Sequence, residues 1–325
     1  MPQFGYALSS EEHAPLDLVR NAKLAEDAGF EFLSISDHYH PWIDAQGHSG
    51  FVWALIGGIA ASTSKIRLGT GVTCPTIRIH PAIIAQATAT AACLMPGRFF
   101  FGIGSGEKLN EHILGDRWPE VEVRLEMMEE AVEVIRRLWA GGVQSHHGRH
   151  YTVENARIYD LPDQLPEIVV SASGPKATEV AGRIGDGLWG MAPEKELVTQ
   201  FDKLAGAGKP KYAQVTLCWA TDEAAARKTA HEIWPTSAIK GEASQELPSP
   251  KHFEQLAEMV TEDQIAESIP CGPDPEPVLE QVRTYLEAGF DHVYFHQVGP
   301  DQAGFLDFAT RELLPKLQQE GGSAA

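Results

Sequence analysis

Residues 15–36, PLDLVRNAKLAEDAGFEFLSIS, decide the fold. Pro15 suits the first turn of a helix, where its missing N–H is not needed. Leu18, Ala22 and Ala25 recur along one helical face, and Gly29 is a helix stop. The pattern then changes at once to FEFLSIS, a short apolar run of strand length. The same junction returns at the other end of the chain, where Ala288-Gly289-Phe290 repeats Ala28-Gly29-Phe30.

Between these two junctions the unit keeps repeating. Strands are expected at 4–9, 30–36, 65–74, 98–106, 167–173, 187–192, 211–219 and 292–298, each followed by a helical pattern. Eight alternations predict an α/β protein, a (β/α)8 TIM barrel, rather than an open sheet. Residues 1–325 read as one barrel domain. Segments at about 143–166 and 236–276 break the alternation, are rich in Pro, Gly and polar residues, and read as insertions. Residues 319–325 read as a flexible tail.

Bulk properties narrow the function. Of 325 residues 43% are hydrophobic, enough for a core, and no apolar run approaches a membrane span. The start lacks a basic region followed by an apolar one, so a cytoplasmic location is expected. Four scattered cysteines without a CxxC pair read as free thiols rather than a zinc site. A net charge of −19 argues against nucleic acid and anionic membranes as partners.

In a barrel of this kind, function lies at the carboxyl ends of the strands. SDHYHPW (36–42) falls there, after the second strand. His38 and His40 are two apart and would share a face of a continuing strand, which raises a metal site, but His296 is the only further ligand within reach of the pattern. No metal is expected. His38 beside Asp37 can instead handle a proton, with Trp42 as an apolar wall, or it can cap a loop while Trp42 packs. FGIGSGEKLNE (101–111) has alternating glycines and Glu107, which suits close approach of a flat ligand or a tight turn, and it lacks Rossmann spacing. SASGPKATEVAG (171–182) places Ser173, Gly174 and Lys176 at a helix start, either a phosphate site or an ordinary capped helix. Cys74, next to Pro75, reads as constrained rather than nucleophilic.

SDHYHPW, CPTIRIHPAIIAQA, PGRFFFGIGSGEKLNE, SGPKATEVAGRIGDG and AGFDHVYFHQVG, in this order, resemble the luciferase-like F420-dependent oxidoreductases, in the glucose-6-phosphate dehydrogenase and secondary alcohol dehydrogenase branch. The resemblance covers nearly the whole chain. It implies a homodimer that binds coenzyme F420 and passes a hydride between an alcohol or sugar hydroxyl carbon and the deazaflavin ring. FMN with a monooxygenase activity is the alternative. Carried over by position, Asp37, Gly71, Val72, Gly106, Glu107 and Asn110 would surround the ring, with a cis peptide between Gly71 and Val72. Ser173, Gly174 and Lys176 would meet the cofactor's phosphate end. His38 would take the hydroxyl proton, Glu107 would protonate the ring, Trp42 would steady the reacting centre, and Glu11 would line the pocket. At the substrate-phosphate positions the chain departs from the family, with Ser244 and Ser268 where two cations belong, Gln245 beside the first, and Glu194 or Lys195 at the third. Lost charge-assisted hydrogen bonds of about 1.5–3 kcal/mol each argue against glucose 6-phosphate, unless Lys240 or Lys251 restores a cation.

Overall fold

The computed structural model describes residues 1–239, 241 and 243–323. Ten strands occur in chain order: β1 (Gln3–Leu8), β2 (Phe32–Ile35), β3 (Arg67–Thr70), β4 (Phe99–Ile103), β5 (Gln144–His147), β6 (Thr152–Ala156), β7 (Ile168–Ala172), β8 (Gly187–Gly190), β9 (Lys211–Leu217) and β10 (His292–Gln297). Eight of them close into one barrel in the order β1-β10-β9-β8-β7-β4-β3-β2. Its neighbours are parallel, so each return needs a crossover, which the helices supply. Every expected strand is present, and the barrel is the one the alternation predicts.

The opening unit folds as its residues dictate. Pro15 starts helix Pro15–Ala28, and Gly29 ends it in the left-handed region at φ 93°. Gly289, at φ 104°, does the same for helix Glu276–Ala288. Residues on alternate positions then divide the strands between two cores. Phe4, Tyr6, Leu8, Leu33, Ile35, Phe101, Val170 and Phe295 face outward to the helices. Phe32, Phe100, Val169, Trp189, Tyr212 and Tyr294 fill the barrel itself. Phe32 needs Gly5 and Phe100 needs Gly69 opposite, since a Cβ there would fall 2.5 Å and 2.1 Å from the respective rings. The interior is thus a solid aromatic plug, and only its upper end is left for chemistry.

The two insertions have structure of their own. The first holds the antiparallel hairpin β5–β6, whose connecting Tyr151 donates its hydroxyl to the Thr76 carbonyl at 2.9 Å and packs edge-on to His80. The second carries short helices Ala243–Glu246, Pro250–Ala257 and Glu262–Ala266, and it roofs the barrel mouth by packing Phe253, Ile239 and Leu247 against Trp42, Ile43 and Leu109. Lys251 is exposed, and Lys240 lies outside the described residues. The closing helix Leu314–Ser323 runs through positions read as a tail. Among the described residues, no helix is long and apolar enough to cross a membrane.

Candidate active site

β2 stops at Ile35, so residues 36–42 are not strand and the two-residue periodicity fails there. His38 and His40 diverge. His40 turns its Nδ1 to the Leu109 carbonyl at 2.9 Å and stacks on His112. His38 stays at the mouth, with Nδ1 3.2 Å from the His40 carbonyl and 3.3 Å from Glu11 Oε1, and its ring 5.0 Å from that of Trp42. Two acceptors around Nδ1 place the proton there, which leaves Nε2 with its lone pair. Among the described residues, no group of three or more His, Cys, Asp or Glu is disposed to hold a metal ion.

Glu11 is 2% exposed and does not present a free carboxylate to the mouth. Its Oε2 accepts from Ser36 Oγ at 2.6 Å and Ser9 Oγ at 3.0 Å, while Oε1 faces His38. It stands behind the histidine instead of lining a pocket. Trp42 is wedged between His38 and Phe253, 5.1 Å from the latter ring, and its backbone N–H donates to Gln46 Oε1 at 2.8 Å.

Asp37 points the other way. Thr73 Oγ1 and Arg78 Nη2 each donate to it at 2.7 Å. Arg78 continues to Glu111, donating its backbone N–H at 2.8 Å. Burial pushes the Glu111 carboxyl up to about 7, against the pull of Arg78, with Asp37 and Glu107 adding to the rise. Burial also pushes the Cys74 thiol well up, which agrees with a constrained, unreactive cysteine.

The other wall of the mouth is bare backbone. The peptide between Gly71 and Val72 is cis. A Cβ on Gly71 would fall 2.1 Å from Ser34 Oγ, and one on Gly104 would fall 2.8 Å from Val72 Cγ2. Gly106 has φ 80° and lies against Cys74. Asn110 is 1% exposed, and its Oδ1 accepts from the N–H groups of Tyr39 and His40 at 2.9 and 3.1 Å. Its Nδ2 is buried with no hydrogen-bond partner. Glu107 precedes helix Lys108–Glu111 at the same rim. These glycines are required by close packing against the chain's own atoms, and beside them the Asn110 amide is a donor left for an acceptor on a ligand.

The remaining sequence candidates do not converge. Gly174 opens helix Pro175–Ile184 with no side-chain cap, beside exposed Ser173, but Lys176 is paired with Glu122 at 2.6 Å. Ser244 donates to Gly241 O and exposed Ser268 to Ile265 O, each within its own turn. Gln245 accepts from the buried Arg124 at 2.9 Å, and Lys195 is exposed at the head of helix Lys195–Ala205. The sequence reading missed one pair at the mouth. Glu12 Oε1 lies 2.6 Å from His296 Nε2, and Glu12 Oε2 accepts from the Gly299 N–H at 2.9 Å. These residues are 284 apart in the chain, and no local motif links them.

A closed barrel thus carries, on loops at the carboxyl ends of its strands, a run of glycines and a carboxylate-backed histidine. The chain belongs to the luciferase-like monooxygenase family, whose model matches residues 1–292. It is 38% identical to the F420-dependent glucose-6-phosphate dehydrogenase of Beutenbergia cavernae over 98% of both chains. It is 36% identical to the enzyme of that name from Microbacterium testaceum, again over 98% of each. Among solved structures, an F420-dependent secondary alcohol dehydrogenase in complex with an F420–acetone adduct superimposes with a TM-score of 0.89 at 30% identity, covering 97% of this chain and 98% of that one. The F420-dependent tetrahydromethanopterin reductase of Methanopyrus kandleri shares the fold, with a TM-score of 0.77 at 23% identity over 97% of this chain and 99% of that one.

Proposed function

We propose that this protein is an F420-dependent dehydrogenase acting on an alcohol or an unphosphorylated sugar. The observation that carries the reading is the pairing of the glycine wall and unspent Asn110 amide with His38, whose Nε2 is left free by the contacts of Nδ1. Bound F420 supplies a two-electron acceptor. Gly71, Val72, Gly106 and Asn110 would hold its ring, and Asp37, fixed by Thr73 and Arg78, would border it. Ser173 and Gly174 would meet its phosphate end.

His38 Nε2 would accept the substrate hydroxyl proton, and the Glu11 carboxyl group behind Nδ1 would stabilise the resulting imidazolium. Glu107 would hold the proton that balances charge on the ring. Trp42 and the roof residues Phe253 and Leu247 would exclude water from the reacting carbon. The local engagement of Ser244 and Ser268 supports a substrate without a phosphate group.

A homodimer and a cytoplasmic setting belong to the same proposal. Helices Val52–Ser62 and Pro81–Leu94 contain no charged residue, in a chain of net charge −19, and Phe51, Ile83 and Leu94 are exposed there. That face suits a second copy, and the four cysteines are all free. The functional test is titration of the purified protein with F420 and with FMN, followed by loss of F420 absorbance across a panel of alcohols and sugars. F420 binding with turnover is expected. Tight FMN binding without F420 binding would replace this reading with a flavin monooxygenase.

A further inference from the structure

The mouth contains a second histidine built like the first. Side chains of β10 alternate, and its inward set is identifiable. His292 lies 4.4 Å from the ring of Tyr212, and Tyr294 accepts from Trp189 Nε1 at 3.1 Å, both inside the barrel. His296 is the next residue of that set, one layer higher, opposite Thr216 of β9. The aromatic plug lies beneath it, at the level of Tyr294, so its ring faces the upper end where the candidate active site lies.

The resemblance to the His38 arrangement is detailed. Glu11 backs His38, and its chain neighbour Glu12 backs His296. Trp42 lies 5.0 Å from the His38 ring, and Trp234 lies edge-on 4.5 Å from the His296 ring. Gln46 joins the two loops that carry these tryptophans, since its Oε1 accepts from the Trp42 backbone N–H at 2.8 Å and its Nε2 donates to the Ile233 carbonyl at 3.0 Å. The two loops are therefore tied to each other.

Glu12 would be raised by burial, but the His296 imidazole and the Gly299 N–H together hold it below its usual range. The ionised carboxylate accepts a hydrogen bond from His296 Nε2–H, which leaves Nδ1 as the acceptor. That nitrogen is buried and has no hydrogen-bond partner. An unsatisfied buried acceptor is unfavourable unless something occupies it during function. Cations are a poor match, because no metal-holding cluster exists among the described residues. A neutral donor such as a hydroxyl matches.

We propose that Glu12, His296 and Trp234 form a second hydroxyl subsite beside the reacting centre, in which His296 Nδ1 accepts a hydrogen bond from a substrate hydroxyl other than the one oxidised. This rests on the dehydrogenase reading and deepens it, because it makes the substrate a polyol or sugar rather than a simple alcohol. Trp234 supplies an apolar face for the carbon skeleton, and Glu12 fixes the tautomer.

The test uses the full chain loaded with F420, with glucose, glycerol and 1,2-propanediol as polyols and 2-propanol as the monoalcohol. His296→Gln keeps a donor for Glu12 and removes the acceptor at the Nδ1 position. The ratio of kcat/KM for the best polyol to that for 2-propanol should fall about tenfold, mostly through KM, with kcat for the polyol within threefold. A folded variant with an unaltered ratio would overturn the subsite. The second readout is independent of turnover and of the variant's folding. In 15N-histidine-labelled wild-type protein, the Nδ1 resonance of His296 should shift on adding a polyol but not 2-propanol. No shift with any polyol, or an equal shift with 2-propanol, would also overturn it. Absence of turnover with F420 would remove the dehydrogenase reading and leave the resonance to decide the subsite.

Discussion

His38 and Glu11 face each other at 3.3 Å, Nδ1 to Oε1, and the carboxylate is fixed from behind by two serine hydroxyls. A carboxyl group held in this way acts on the histidine's orientation and on the charge it gains. Glu11→Gln should therefore lower kcat by about 10–100-fold, the equivalent of about 1.5–3 kcal/mol for a charge-assisted contact. His38→Ala should lower it by about 10²–10⁴-fold. F420 affinity, measured by fluorescence titration, should stay within threefold for both. A parallel collapse of affinity would mean that the pair holds the loop rather than the proton.

Glu107 sits at the head of helix Lys108–Glu111. Glu107→Gln should abolish turnover while the variant still binds F420 in calorimetric titration. Turnover within threefold of the wild-type rate would remove Glu107 from proton handling.

Glu111 gives a pH signature. Burial raises it from 4.5 to about 7 in the folded chain, so the folded state binds this proton more tightly than the unfolded state does. Its contribution to stability is complete below the unfolded value and is lost as pH rises through about 7, a change of about 3 kcal/mol. Thermal midpoints should fall over this window in the wild type and fall less in Glu111→Gln. Identical slopes for the two proteins would contradict the assignment.

The barrel plug predicts a cost below the site. Gly69→Ala would place a Cβ 2.1 Å from the Phe100 ring, and overpacking of this kind costs about 1–3 kcal/mol. Denaturant melts should show that loss with an unaltered slope. A neutral result would mean that Phe100 has room to turn.

The barrel was legible because its signals are local. Pro15, Gly29 and Gly289 mark helix ends, and the apolar runs have strand length. The end of β2 was less so, because Ser36-Asp37-His38 continues the look of a strand after its ladder has stopped at Ile35. The β5–β6 hairpin was missed since SHHGRHY lacks alternating apolar residues. Its order comes from Glu130, whose carboxylate accepts the N–H groups of Arg149, His150 and Tyr151. The Glu12–His296 pair was hidden for another reason, namely that barrel closure, not sequence proximity, brings β1 and β10 together. The cis Gly71–Val72 bond was anticipated from family likeness alone.

The roof over the mouth comes from a single excursion of the chain between β9 and β10, whereas the glycine wall comes from the loops after β3 and β4. On the proposed reading, the roof shapes part of the substrate side, while the loops after β3 and β4 would hold the redox partner. Replacing residues 236–276 as one cassette, while Gln46 keeps its grip on the Ile233 carbonyl, would reshape the roof over Trp42 and leave the sequence of the glycine loops as it is.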